Sequence, residues 1–202
     1  MFKKKSAAAS RLVQEAESHV GYTANQTVPD IFSSSIGRPG IPWAGPFIDV
    51  CARKAGIRLP SFVNTASALA SFIKTNRIFP RPEPGDIVFF QTASDSNHGQ
   101  PHVGIVTDVE HFEVHGMFQC VEGQTDSGTP KGLASKNGVY KRNRYEYDVL
   151  AFARPNFERA EATAQLEDPG KDLTKPVVQG PSIKAGMKHK YVVHIQLADR
   201  KS

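Results

Sequence analysis

The residues of this chain that could act as nucleophiles or proton carriers include two cysteines and seven histidines among 202 residues. Cys51 lies among apolar neighbours, seven positions after Ala44, and Cys120 lies inside a strand-like run. A reactive thiol needs an electropositive setting, and the effect of a helix dipole fades beyond the first turn. We therefore interpret both cysteines as free, buried structural thiols, and we regard a catalytic role for either as the less favoured alternative.

The histidines do not predict a metal site. His102 opens a strand-like run, and His115 is interpreted as a packed or surface-facing strand residue. The other five histidines form no spacing typical of zinc ligation with cysteine or carboxylate; these are His19, His98, His111, His189 and His194. Clustered aspartates of the D-x-D-x-D type, which bind calcium, do not occur in the sequence. We therefore predict neither a metal ion nor another cofactor.

Four segments combine small, aromatic and polar residues in an ordered series. The stretch GRPGIPWAGPFIDVCARKAG (residues 37–56) is followed by GDIVFFQ, then PHVGIVTDV, then CVEGQTDSG. In this order the segments resemble the CHAP branch of the NlpC/P60-like, papain-like cysteine peptidases and amidases, in which Trp-Cys-Ala-x-Phe-Val begins a helix. The resemblance covers about residues 7–157. It implies a papain-like fold and hydrolysis of amide bonds in bacterial peptidoglycan.

The resemblance also assigns roles to five residues. Ala44 stands where the nucleophilic cysteine is expected, and His102 matches the imidazole that exchanges the proton. Glu122 and Gln124 match the polar positions that orient the imidazole, and their spacing on an extended segment predicts that both point to the same side. Gln124 replaces the usual asparagine, so we favour Glu122 as the orienting residue. Trp43 either stacks on substrate or packs as a hydrophobic staple.

The alanine at position 44 decides the expected activity. A cysteine at a helix start has a lowered pKa, and backbone amides near it could bind an oxyanion, whereas a methyl group can neither ionise nor attack a carbonyl. We therefore expect this chain not to turn over substrate. Two explanations remain: an inactivated variant of an active enzyme, made by replacing the cysteine, or a natural pseudoenzyme that binds wall peptides. The intact partners of the site favour the first.

The elements that must position these residues follow from hydrophobic periodicity. The pattern predicts helices over residues 7–20 and 43–55 and a third that begins near Asn64, with a loop from 21 to 42. Short β-rich runs follow: DIVFFQ, HVGIVTDVE, FEVHGMFQCVEG and YDVLAFARP. We predict an α+β fold with N-terminal helices packed on a mostly antiparallel sheet. The domain is expected to span residues 1–157, with a linker and short extension, including one strand at its end, over 158–202.

The composition of the chain limits the partners and the place of action that we expect. The chain has a formal net charge of +5 with 39% hydrophobic residues, which is typical of a globular protein that attracts anionic partners. We find no signal peptide and no membrane span, and we expect synthesis in the cytoplasm followed by action on the cell wall, as in a phage-released or injected endolysin. Peptidoglycan is the expected partner, with neither nucleic acid nor membrane insertion. The oligomeric state stays open, and a superfamily relative acting on a non-wall amide or thioester is a further alternative.

Overall fold

The computed structural model describes residues 6–24, 30–91, 100–126 and 136–167. In these residues, helices combine with one antiparallel sheet, which confirms the predicted α+β class. The α-helices are α1 (Ala7–Ser18), α2 (Ile31–Ser35), α3 (Ala44–Lys54), α4 (Thr65–Lys74), α5 (Phe112–His115) and α6 (Phe157–Glu167). The strands are β1 (Ile78–Phe79), β2 (Ile87–Phe90), β3 (His102–Asp108), β4 (Met117–Asp126), β5 (Lys136–Tyr145) and β6 (Val149–Ala153), and a 3₁₀ turn covers Glu146–Asp148.

The sheet places the site-bearing strands side by side. Its strand order is β1-β6-β2-β3-β4-β5, and the neighbouring strands pair in antiparallel fashion. Strand β3, which begins at His102, lies between β2 and β4, with Phe90 opposite His102 and Val121 opposite Ile105. The sheet thus brings the start of β3 next to the part of β4 that carries Glu122.

The predicted helices form with small shifts at their ends. Asn64 caps α4, because its side chain accepts a hydrogen bond from the backbone nitrogen of Ser67. Ser6 caps α1 in the same way through Ala9. The N-cap residue of α3 is Trp43, whose side chain makes no capping hydrogen bond. The start of α3 therefore depends on a partner from elsewhere in the chain.

Two local predictions were wrong, and one strand was missed. The expected loop contains α2, because the carboxylate of Asp30 caps it by accepting hydrogen bonds from two backbone amides. The expected strand FEVHGMFQCVEG begins instead with the one-turn helix α5, which Gly116 ends with a left-handed φ of 61° before β4 starts. Strand β5 was not predicted, since its sequence KNGVYKRNRY is polar. It pairs with β4 along most of its length.

The core lies on both faces of the sheet. The larger cluster joins the helices to one face through residues such as Phe47, Ile48, Phe62, Ile87 and Val121. A smaller cluster on the other face contains Val88, Phe90, Phe118, Cys120 and Phe152. Because side chains alternate along a strand, β2 contributes Ile87 and Phe89 to the first cluster and Val88 and Phe90 to the second.

The chain after β6 continues as helix α6. Ala160 is 7% exposed and belongs to the larger core cluster, and the carboxylate of Glu161 accepts hydrogen bonds from Ser6 and from the backbone of Ala8. The segment expected to be a linker thus begins with a helix docked on α1. Residues 168–202, with the strand expected near their end, lie outside the described residues.

Candidate functional site

The centre of the candidate site is an imidazole–carboxylate pair. His102 Nε2 lies 2.9 Å from Glu122 Oε2, and the His102 ring stacks beside Phe90 with centroids 6.1 Å apart. Gly104 makes room for the carboxylate, because a Cβ atom at this position would lie only 2.9 Å from Glu122 Cγ. The pair therefore requires a histidine at the start of β3, a glycine two positions later and a glutamate on β4.

Glu122 is fully buried but keeps its charge. Arg144 on β5 donates from Nε to Oε1 and from Nη2 to Oε2, each at 2.7 Å. Burial by itself would raise the pKa of Glu122, but the hydrogen bonds and positive charges of Arg144 and His102 outweigh it and hold the pKa far below its usual range. Cys120 Sγ also donates to Oε1 at 3.2 Å. Glu122 is therefore an ionised, rigidly held acceptor.

The ionised carboxylate selects one form of the histidine. Since a carboxylate can only accept hydrogen bonds, Nε2 of His102 must carry the proton that faces Glu122. In the neutral ring, Nδ1 is then the basic nitrogen. The side chain of His102 is 19% exposed, so the ring keeps a path to solvent. This arrangement can accept and return a proton at Nδ1.

Gln124 connects strand β4 to the start of α3. Its side-chain oxygen accepts hydrogen bonds from the backbone nitrogens of Trp43 and Ala44, the latter at 3.1 Å. Gly123 permits the close approach of α3, because a Cβ atom there would lie 2.7 Å from Phe47 Cβ. Gly123 and Gln124 of β4 thus hold the helix start against β4, the strand that pairs with β3, on which His102 lies. Ala44, the expected nucleophile position, is 6% exposed at this junction.

Glu122 and Gln124 do not share one target, although alternation predicted that their side chains point to the same side. The ladder between β4 and β5 shifts register between Glu122 and Thr125, and Gln124 has a left-handed φ of 56°. This bulge re-aims Gln124 to the helix start, while Glu122 contacts His102. Within the part of the chain that the structure describes, the orienting contact to His102 comes from Glu122.

Trp43 is packed inside the protein. Its side chain is 3% exposed, its ring stacks on Phe32 with centroids 5.2 Å apart, and Tyr22 contacts it edge-on. Of the two alternatives for Trp43, this burial favours the packing role over stacking on a substrate.

The cysteines are free and buried. Burial raises the pKa of Cys51, and it also raises the pKa of Cys120, where the nearby charge of Glu122 adds to the effect. Both thiols therefore stay protonated near neutral pH, which agrees with a structural role for each.

Two residues of α3 that the sequence analysis missed contact the loop after this helix: Gly45 near its start and Asp49 in its middle. Both carboxylate oxygens of Asp49 lie 3.0 Å from the backbone nitrogen of Phe62, and a Cβ atom at Gly45 would lie 1.8 Å from the Phe62 carbonyl oxygen. Burial raises the pKa of Asp49 to about 6, although the hydrogen bond from Phe62 opposes the shift. The loop after α3 is thus held against the first two turns of this helix, which begins at Ala44.

Arg144 was also missed, because the polar strand β5 has no hydrophobic pattern to reveal its register.

In the described ranges, no group of three or more histidine, cysteine or acidic side chains is arranged to hold a metal ion. A search of the same residues found no helix with the length and apolar character needed to cross a membrane.

Comparison of the chain with protein-family models, curated proteins and solved structures found no match.

Proposed function

We propose that this chain is a papain-like domain of the CHAP type whose site belongs to a cysteine peptidase or amidase acting on bacterial peptidoglycan. The observation that carries the proposal is the His102–Glu122 pair on β3 and β4, together with Gln124, which joins β4 to the start of α3, where the expected nucleophile position is Ala44. A buried carboxylate that fixes an imidazole next to a helix start is the arrangement needed to activate a thiol.

A parent with cysteine at position 44 would work as follows. The thiol proton passes to His102 Nδ1 while the sulfur attacks the amide carbonyl of the substrate. The C–N bond then breaks, Nδ1 returns the proton to the leaving amine, and a thioester to the enzyme remains. Water attacks this thioester with His102 again taking a proton, which releases the carboxylic acid and restores the thiol. Glu122 holds the ring in place and stabilises the imidazolium.

With Ala44 the first step has no nucleophile, so we propose that this chain binds its wall peptide without cutting it. In the first version of the proposal, it is an inactivated form of an active phage endolysin or injected lysin. The bond is either within the stem peptide or between muramic acid and L-alanine. The retained His102, Glu122 and Arg144 network supports this version, because nothing in a binding-only protein requires an oriented imidazole.

The second version is a natural pseudoenzyme, and one specific contact favours it. The side-chain oxygen of Gln124 lies on the backbone nitrogens of Trp43 and Ala44, which are the donors that an oxyanion would use in a thiol enzyme. A site whose oxyanion donors are already occupied is adapted to something other than acyl transfer.

The decisive experiment restores the thiol. Purified walls are treated with the unchanged chain, with Ala44→Cys and with Ala44→Cys/His102→Ala, and turbidity loss is followed. Clearing by Ala44→Cys alone supports the hydrolase, and mass analysis of the released fragments identifies the bond.

The other outcomes are equally informative. Inactive Ala44→Cys protein that still sediments with walls supports the pseudoenzyme. Absence of both clearing and wall binding contradicts the wall proposal and leaves the superfamily relative with a non-wall amide or thioester substrate.

A further inference from the structure

We propose that a cavity separate from the candidate catalytic site binds a compact anion that carries phosphate groups. The cavity has a volume of about 450 Å³ and lies between the loop after α3, the end of α4 and the start of α6. None of its lining residues is Ala44, His102, Glu122 or Gln124. The inference does not depend on the proposed function.

The lining of this cavity is strongly basic. Four arginines from separate parts of the chain line it, and no aspartate or glutamate does; the arginines are Arg58, Arg77, Arg154 and Arg159. Guanidinium groups match the geometry of phosphate oxygens and bind them through paired hydrogen bonds. Convergence of arginines around one hollow concentrates positive potential there.

Arg77 is the fixed cation of the cavity. It donates from Nε to the carbonyl of Arg154 at 3.1 Å and from Nη2 to the carbonyl of Pro155 at 2.7 Å. Backbone carbonyls orient the guanidinium without neutralising its charge. Arg77 is half-buried, so the cost of ordering its side chain is met before a ligand arrives.

Arg58 and Arg159 are exposed, and no ion pair to either is found in the ranges that the structure describes. Arg154 differs, since Asp86 binds its guanidinium with two hydrogen bonds of 2.8 Å and Glu83 adds a contact of 2.9 Å. Arg154 is thus a structural member of the wall. The cations that remain for a ligand are Arg58, Arg77 and Arg159.

The shape of the cavity favours a small ligand over a nucleic acid. Its volume is in the range of small-molecule sites, and the cations surround a hollow instead of following an extended face. An adjoining cavity of about 520 Å³ shares Arg58 and Thr163 and adds Arg53 and Asp49. The adjoining cavity includes an acidic side chain, Asp49, and the first cavity has none among its lining residues, so the basic character is concentrated in the first cavity.

The test measures binding of three phosphate probes to the full chain by calorimetry: inorganic phosphate, glycerol 1-phosphate and poly(glycerol phosphate). We expect saturable binding that Arg58→Gln and Arg159→Gln each weaken about tenfold or more, because each removes charge-assisted hydrogen bonds. Arg77→Gln should act in the same direction, with its thermal unfolding checked. Arg38→Gln removes an exposed charge elsewhere and should leave the affinity unchanged.

The polymer identifies the source of the phosphate. Much tighter binding of poly(glycerol phosphate) than of glycerol 1-phosphate indicates a phosphodiester polymer, whereas equal binding per phosphate indicates a free phosphate compound. Absence of saturable binding by all three probes would overturn the inference. A single-stranded oligonucleotide serves as a fourth probe. The inference would also be overturned if the oligonucleotide bound more tightly than the phosphate probes and if Arg38→Gln weakened its binding as much as Arg58→Gln did, since that pattern reflects general surface charge.

Discussion

The side-chain oxygen of Gln124 lies 3.1 Å from the backbone nitrogen of Ala44 and caps the helix that would carry the nucleophile. Helix α3 has no capping side chain from its own N-terminal residue, so strand β4 supplies the cap. The contact ties the candidate nucleophile position to the strand that orients His102. The same oxygen also accepts a hydrogen bond from the backbone nitrogen of Trp43, the N-cap residue of α3.

Replacing Gln124 with alanine should therefore destabilise the protein. Loss of a helix cap costs about 0.5–2 kcal/mol, and we expect Gln124→Ala to lower the free energy of unfolding by about 1 kcal/mol. Urea unfolding measures the change. Gln119→Ala is the matched control, because Gln119 is on the same strand and its side-chain amide makes only a 3.4 Å bond to Asn143. Equal losses in the two variants would mean that Gln124 is not the cap.

Replacing Glu122 with glutamine should be far more damaging. It leaves Arg144 without its counter-ion in a half-buried position, and breaking a buried pair costs about 3–5 kcal/mol. We expect a loss of this order in the free energy of unfolding at pH 7, measured by urea denaturation. Because the Arg81–Glu113 pair is at the surface, with both side chains more than half exposed, Arg81→Gln should cost less than about 1 kcal/mol and serves as the control.

The Glu122→Gln variant also tests how the stability depends on pH. The folded-state pKa of Glu122 is lower than its ordinary value of 4.5, so its stabilising contribution is present above that value and is lost as the pH falls below it. The stability difference between the unchanged protein and Glu122→Gln should shrink between pH 5 and pH 2. A difference that stays constant over this range would show that the carboxylate is not ionised in the fold.

The contribution of Asp49 to stability should depend on pH in the opposite direction to that of Glu122. Burial raises its pKa to about 6 from an ordinary value of 3.8, so folding favours the protonated form. The resulting destabilisation is absent below the ordinary value and fully present above about pH 6. Asp49→Asn keeps an acceptor for the Phe62 amide. Compared with the unchanged protein, the variant should gain more free energy of unfolding at pH 7.5 than at pH 4. Unfolding curves at the two pH values measure this, and a larger gain at pH 4 would contradict it.

Gly45 offers a test of the clamp on the helix start. Glycine to alanine within a helix ordinarily stabilises it by about 1 kcal/mol. Here the new Cβ atom would lie 1.8 Å from the Phe62 carbonyl oxygen, so we expect Gly45→Ala to destabilise the protein by more than 1 kcal/mol. Thermal unfolding gives the sign. Ala70→Gly, at an exposed position of α4, reports the ordinary propensity effect in the same protein.

The sequence by itself determined the elements whose information is local. Apolar residues at helical spacing and the cap at Asn64 predicted α3 and α4, and the apolar runs predicted β2, β3 and β6. Placing His102 at the start of a strand and Ala44 at the start of a helix required no knowledge of the tertiary structure. Each of these features depends on residues within a few positions of one another.

The tertiary structure alone decided which side chains meet. Arg144 reaches Glu122 only because the polar strand β5 pairs with β4 in one register. Gln124 reaches the helix start because a bulge with a left-handed φ breaks the alternation of β4. Pairing register and backbone bulges depend on contacts between residues far apart in the chain, and local patterns carry no information about them.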